Sequence, residues 1–295
     1  MVSAVEAKIN ALVTWEETIL WARTQKEMKP LLHDAYLSED VIENARRYSD
    51  SAEFLEVLQL VQQHSPKTKQ IADVGAGNGV ASYAFAKAGY EVFAIEPDPG
   101  LHTGRAAIQQ LKDHGQPGIR ILDGSGEHIP LGDQSVDVVF VRQALHHAAN
   151  LRLFVTECHR ILRKGGILFS LRDHVVDHPA GLQEFLQSHP LHKYYQGENA
   201  YTELEYREAI QGAGFQIELT LQHYDNVINY APEHSAWLEE HRVLSSDHLL
   251  AAKLGRISAL PGALFLYRWY VRNRYGYRPP VSVAQGRHIA FIARK

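Results

Sequence analysis

The sequence predicts an α/β fold: a doubly wound, mostly parallel seven-stranded sheet with a helical N-terminal segment and helical cap insertions. Three observations carry that expectation. Short apolar runs alternate with helix-period segments from Ile71 to Asp173. Several of these runs are apolar at nearly every position, as strands buried on both faces are. The first run ends in Gly75, Gly77 and Gly79, where a parallel sheet would turn into its first crossover helix.

The elements follow in order. Residues 1–66 are expected to be helical, with Phe54, Leu55, Leu58 and Val61 at helical spacing, and Ser65-Pro66 ends the pattern. "IADV" is the first strand, and the Ala-rich "GVASYAFAKAG" is a helix closing at Gly89. "YEVFAIE", "IRILDG", "VDVVFVRQ" and "ILFSLRD" are the next four strands. The helices "PGLHTGRAAIQQLKDHG" and "LRLFVTECHRILRKGG" separate them, the second expected to stop at Gly165-Gly166. "YTELEYREAIQGAG" adds a helix, "FQIELTLQ" a strand and "RHIAFIAR" a last strand. Residues 174–200 and 224–286 interrupt the rhythm and are not needed for the sheet. The expected organisation is therefore an N-terminal helical cap (1–66), a core (67–223, with insertion 174–200), a helical cap insertion (224–286) and a final core strand (287–295).

Composition narrows the function classes. The 295 residues are 45% hydrophobic and 22% charged, with a formal net charge of -4. That balance argues against a general polyanion binder, so no nucleic-acid partner is expected. The most basic stretch, Tyr267–Arg278, reads as a solvated helix face. Cys158 is the sole cysteine; it excludes an internal disulfide and sits where a helix would bury it. The N-terminus carries Glu6, Glu16 and Glu17 and lacks the layout of a signal peptide. No apolar run is long enough to span a bilayer, so no membrane partner is expected, and the default location is cytoplasmic.

The glycine turn narrows the ligand. A dinucleotide site wants G-x-G-x-x-G, with the third glycine letting the helix pack close. Here that position is Val80, and no Lys-Ser or Lys-Thr follows for a triphosphate. A G-x-G-x-G turn preceded by Asp73 suits a ligand with cationic groups in place of phosphates. Glu96, after the second strand, can accept hydrogen bonds from a ribose diol. That serves a nicotinamide cofactor equally well, so Asp73 and the shortened turn are what discriminate.

Three segments in register, "IADVGAGNGVASYAFAKAGYEVFAIEPDP", "LDGSGEHIPLGDQSVDVVFVRQALHHA" and "ECHRILRKGGILF", make residues 69–172 resemble the class I S-adenosylmethionine-dependent methyltransferases, type-11 group. The resemblance implies a Rossmann-like core and S-adenosyl-L-methionine as cofactor. It implies that Asp73, Gly75, Ala76, Gly77, Asn78 and Gly79 line the methionine part. Glu96 would hold the ribose, with Pro97 and Asp98 at the adenine edge and Gly126 and Glu127 flanking the ring. Ser125 stands where the family often has Asp, and Asp123 is a candidate substitute. Arg142 and Gln143 end the fourth strand, on the cofactor and substrate sides.

The chain has 17 histidines, many of them between His146 and His192. His146 and His147 follow the fourth strand, where an acceptor would meet the methyl group, and His146 is the expected general base. Asp173 and His174, beyond the fifth strand, are further catalytic candidates. His174 with His178 would share a face if helical, and His189 with His192 are close enough to chelate. Val175, Val176 and Pro179 oppose a regular helix, and spacing without a defined ligand set assigns no metal. The expected function is methylation of a small molecule, with oxygen placed ahead of nitrogen or carbon on the histidine-rich surroundings. The alternative is a non-catalytic module that binds the cofactor. The acceptor and the oligomeric state stay open.

Overall fold

The computed structural model describes residues 14–195, 197–232 and 286–295, together with positions 262, 266 and 269. The expected basic face at 267–278 apart from position 269, residues 1–13 and most of the 224–286 insertion lie outside the described residues.

The described residues begin with helices α1 (Trp15–Thr24), α2 (Lys29–Asp34), α3 (Val41–Ser49) and α4 (Ala52–His64). Their starts follow from local chemistry. Thr14 and Glu17 close a capping box on α1, Asp40 accepts from the Glu43 amide at α3, and Ser51 accepts from the Phe54 amide at α4. The core then runs β1 (Gln70–Val74), α5 (Val80–Lys87), β2 (Glu91–Ile95), α6 (Arg105–Asp113), β3 (Ile119–Leu122), β4 (Val136–Arg142), α7 (Leu151–Ile161) and β5 (Leu162–Val176). After it come α8 (Gly181–Ser188), α9 (His192–Tyr195), β6 (Tyr201–Thr202), α10 (Glu203–Gly212), β7 (Gln216–Leu221), α11 (Val227–Tyr230) and β8 (Arg287–Arg294).

The strand order is β3-β2-β1-β4-β5-β8-β7. β1 to β5 pair in parallel and β8 lies antiparallel between β5 and β7. These seven strands are the expected ones. The two-residue β6, paired with the end of β5, is an eighth that the sequence did not suggest.

Period-two alternation divides the core into two layers. Ile71, Val138, Phe140, Ile167, Phe169 and Ile292 pack on one face, beneath Phe54, Val57 and Val61 of α4 and Ala84 and Phe85 of α5. Ala72, Val139, Val141, Leu168 and Phe291 pack on the other, beneath Val155 and Cys158 of α7 and Tyr206 and Ile210 of α10. Both faces are covered, which is why the strands are apolar throughout. Cys158 is buried as expected, and burial pushes its thiol pKa well up.

Two local expectations change. α7 ends at Ile161, ahead of the glycine pair, because Leu162 is already extended at φ -71, ψ 138 and begins β5. Gly165 and Gly166 instead lie within β5: Gly165 takes φ +75, and a Cβ on Gly166 would sit 2.9 Å from the carbonyl oxygens of Arg163 and Asp137. The second is the end of the fifth strand: β5 runs past Asp173 to Val176, so His174 shares no helical face with His178, in keeping with the resistance of Val175, Val176 and Pro179 to a helix.

Candidate active site

The strand order reverses between β1 and β4, and open sheets of this kind bind ligands there, beyond the carboxyl ends of the strands. A cavity of about 630 Å³ opens at this point. Its floor is the β1–α5 turn. Gly75 and Gly79 are glycine for two reasons: both take positive φ, and an added Cβ would lie 2.6 Å from Ala144 Cβ or 2.8 Å from Ile108 Cγ1.

The carboxylates set the cavity's character. Glu96 accepts the Gly77 amide at 2.7 Å on Oε2 and the Asp98 amide at 2.9 Å on Oε1. A loop amide that would greet a phosphate in a dinucleotide site is thus already committed to a carboxylate. Each Glu96 oxygen keeps a lone pair for a diol. Burial pushes its carboxyl up to about 7, against those two amide hydrogen bonds. Asp73, 2% exposed, accepts the Ser82 hydroxyl at 2.6 Å; burial raises it to about 6, opposed by Ser82 and by the Arg142 charge.

A pH dependence follows. A carboxyl raised above its ordinary value favours the folded state fully only below that value. The contribution is lost as pH rises through about 7, where Glu96 ionises in its buried seat. A ligand that donates hydrogen bonds to Glu96 reverses the cost, so binding expels a proton below that pH. We expect the affinity for such a ligand to fall by up to roughly tenfold per unit as pH drops below 7. Calorimetric titrations at pH 6 and pH 8, in buffers of different ionisation enthalpy, check both the affinity and the proton release. Equal affinities with no proton release would refute it.

Thirteen of the fourteen predicted cofactor-side residues line this cavity: Asp73, Gly75, Ala76, Gly77, Asn78, Glu96, Pro97, Asp98, Ser125, Gly126, Glu127, Arg142 and Gln143. Gly79 does not; it packs against Ile108. The candidate substitute Asp123 lies outside the cavity wall, paired with Arg105 at 2.9 Å. Glu127 both lines the cavity and accepts the Ala149 and Asn150 amides at 2.9 and 3.3 Å, bracing the entry to α7. Gly126 lies flat against Phe154, whose ring would meet an added Cβ at 2.2 Å. Phe154 also lines the cavity, as a flat apolar wall.

Arg142 is less available than the sequence suggested. Its guanidinium grips Glu53 of α4 with both carboxylate oxygens, at 2.6 and 3.1 Å, and lies 5.0 Å from the Tyr48 ring centroid. Burial alone would raise the Glu53 carboxyl, but Arg142 and Arg172 together hold it below its usual value. Gln143, next in the chain, takes φ +52, a strained conformation for a residue with a side chain, at the cavity's edge.

The N-terminal segment supplies walls that no motif foretold. Thr14, Trp15, Ala35 and Leu37 line the cavity. Glu16 Oε2 accepts the His102 amide at 2.9 Å, and Asn78 donates to the Tyr36 carbonyl at 2.8 Å, so α1 and α2 are tied to the cofactor-side loops. Tyr195 and Glu198, from the 174–200 insertion, close the far side, and Trp15 meets Tyr195 edge-on at 5.3 Å.

Of the four catalytic candidates, only His147 lines the cavity. Its Nδ1 donates to the Gly197 carbonyl at 2.9 Å, leaving Nε2 as an acceptor. His146 is 2% exposed and lies behind the wall. Its Nδ1 and backbone amide both donate to Asp173 Oδ1, at 3.0 and 3.1 Å. Burial first, then His147 and His189, push His146 well below its ordinary pKa, so it is neutral. His174 stands 4.8 Å from the His146 ring, with Nδ1 donating to the Gly286 carbonyl at 2.6 Å. His146, Asp173 and His174 are thus brought together, away from the cavity surface.

Residues 72–170 match the family model described as a methyltransferase domain. An uncharacterized methyltransferase of Mycobacterium sp. (strain JLS) is 34% identical over 110 residues, 37% of this chain and 40% of that protein. The uncharacterized methyltransferase YcgJ of Bacillus subtilis is 29% identical over 147 residues, 48% of this chain and 57% of its own length. The chain therefore spans about half the length of these relatives. Among solved structures, a Haemonchus contortus phospholethanolamine N-methyltransferase 2 with bound S-adenosylhomocysteine aligns with TM-score 0.52 and 15% identity, covering 85% of this chain and 56% of that one. The [4+2]-cyclase SpnF aligns with TM-score 0.51 and 18% identity, covering 81% and 80%. At such identities the structures speak to the fold alone, which is the one described above. The likeness to methyltransferase domains thus lies in residues 72–170, the part that carries the glycine turn and strands β1 to β5.

Proposed function

We propose that the chain methylates a small molecule using S-adenosyl-L-methionine, with an oxygen acceptor ahead of nitrogen or carbon. The observation that carries the cofactor is Glu96, whose carboxylate is pinned by the Gly77 and Asp98 amides beside the cavity. That arrangement favours a diol, which can donate to the carboxylate, over a pyrophosphate, which the carboxylate would repel. Asp73 would face the ammonium, Phe154 and Gly126 the adenine. When bound, the cofactor supplies an activated methyl group on a sulfonium.

The chain's own residues would do the rest. The turn and Glu96 orient the cofactor. Trp15, Leu37 and Tyr195 shield the far side from water. His147 Nε2, whose tautomer is fixed by Gly197, can accept the acceptor's hydroxyl proton. His146 therefore gives way to His147 as the proposed base, because His147 is the one that reaches the cavity.

The fold does not decide the chemistry, as the cyclase among the solved relatives illustrates. The test is a panel of hydroxyl, amine and carbon acceptors with labelled cofactor, run on the parent and on His147→Ala. Transfer to oxygen, reduced roughly 10²- to 10⁴-fold in the variant with cofactor affinity unchanged, is expected. Transfer to nitrogen or carbon only would overturn the acceptor preference. Cofactor binding with no transfer to any acceptor would favour the non-catalytic module.

A further inference from the structure

Glu198 is an unusual carboxylate. Its side chain is 6% exposed, and among the described residues no hydrogen bond satisfies it. Around its Oε2 stand three imidazole nitrogens: Nε2 of His146 at 3.8 Å, of His147 at 3.9 Å and of His189 at 4.0 Å. These separations are too long for hydrogen bonds. The His146–Glu198 separation is near the spacing of donors that share a cation: ligands 2.0–2.1 Å from a tetrahedral zinc lie about 3.3 Å from one another.

The tautomers agree with that reading. A carbonyl oxygen can only accept, and so can an ionised carboxylate. His146 therefore carries its proton on Nδ1, facing Asp173, and His174 carries its proton on Nδ1, facing Gly286. Both Nε2 atoms are left with bare lone pairs. One ligand atom from each of His146, His174 and Glu198 lies within 4.8 Å of the others. Asp173 is itself held by the Ser170 hydroxyl at 2.8 Å. A carboxylate braced by a serine, holding a histidine whose far nitrogen faces a second histidine and a glutamate, is the outer-sphere arrangement of metal-bound histidines. His189 differs: its Nδ1 accepts the Leu191 amide at 3.4 Å, so its proton sits on Nε2, toward Glu198.

We propose that His146, His174 and Glu198 form a binding site for a borderline divalent cation of the zinc type, reached from the cavity through Glu198, the one of the three ligands that lines it. Two imidazoles and one carboxylate suit zinc or a neighbouring first-row ion better than magnesium or calcium, which take oxygen donors. Glu198 lines the cavity and His147 stands beside it, so Glu198 is where the site would meet the place assigned above to the acceptor. The ligand class is an acceptor hydroxyl or carbonyl oxygen, which the cation would anchor while His147 takes the proton. Sequence spacing assigned no metal because the three ligands are 28 and 24 residues apart and only the β5 register and the 174–200 insertion bring them together. The acceptor half of the proposal rests on the methyltransferase reading; the metal half does not.

The test uses the full chain after dialysis against a chelator. Cobalt(II) is titrated in and its visible absorption recorded; zinc is titrated by calorimetry. One equivalent of cobalt with the intense bands of a four-coordinate ion, displaced by zinc, is expected. Affinity should fall at least about 100-fold in Glu198→Gln, which keeps shape and removes charge, and about 10- to 100-fold in Asp173→Asn. Circular dichroism of each variant verifies folding. No cobalt or zinc binding to the parent, or binding that Glu198→Gln leaves unchanged, would overturn the site. S-adenosylhomocysteine titrated into the same metal-free parent separates the two readings. If it binds while no metal does, only the metal site falls. If metal binds and S-adenosylhomocysteine does not, the site stands and the cofactor assignment falls.

Discussion

Glu53→Ala is expected to destabilise the protein by about 3–5 kcal/mol, among the largest effects of any single substitution near the site. Glu53 is 2% exposed and is the partner of two buried guanidiniums, Arg142 through two hydrogen bonds and Arg172 at 3.6 Å. Removing it leaves Arg142 charged in the core, beside Arg172, with no direct carboxylate partner among the described residues: the Tyr36 and Tyr48 rings and the Gln143 side-chain Oε1 stay in contact, and the Asp73 carboxyl acts only at longer range. The cost is that of an uncompensated buried charge, which exceeds the net value of the intact pair. Urea unfolding of the parent, Glu53→Ala and the double variant Glu53→Ala/Arg142→Met measures it. The double variant should recover part of the loss. A single variant within about 0.5 kcal/mol of the parent would show that the pair is not the clamp between α4 and β4.

Glu96→Ala is expected to weaken binding of S-adenosylmethionine and S-adenosylhomocysteine by at least about 100-fold. Hydrogen bonds to a charged acceptor contribute roughly 1.5–3 kcal/mol each, and a diol offers two. The substitution also releases the Gly77 and Asp98 amides, so the turn loses the anchor that shapes it. Its cost in stability should be smaller at high pH. Glu96 is strained by ionisation above about 7, so the empty variant is expected to lose less stability at pH 8.5 than at pH 5.5. Calorimetry gives the affinities, and thermal unfolding at the two pH values gives the stability. Unchanged affinity would remove Glu96 from the site and with it the main support for the cofactor.

Much of this was legible in the sequence. Alternation of apolar and helical periods is a local property, so the strands and crossover helices from Gln70 to Val176 could be read directly. The β1–α5 turn was legible because positive φ and close contact with Ala144 and Ile108 demand glycine, and glycine clusters are visible in one dimension. Glu96 was legible because it follows β2 immediately, and strand ends on one side of a parallel sheet converge.

What the sequence alone determined, then, is the layered fold and the glycine-turn end of the cavity, since both are set by short-range patterns. Tertiary structure decided the other end. Nothing in "AEFLEVL" marks Glu53 as the partner of Arg142, 89 residues on. Nor does anything near Trp15 announce a cavity wall. His146 and His147 are adjacent, yet the short turn after β4 sends one into the core against Asp173 and the other to the cavity edge. Glu198 acquires its three histidine neighbours only when the insertion folds over the sheet. Charge and hydrogen-bond partners in a buried site come from whichever segments the packing brings together, and separation along the chain carries no record of that.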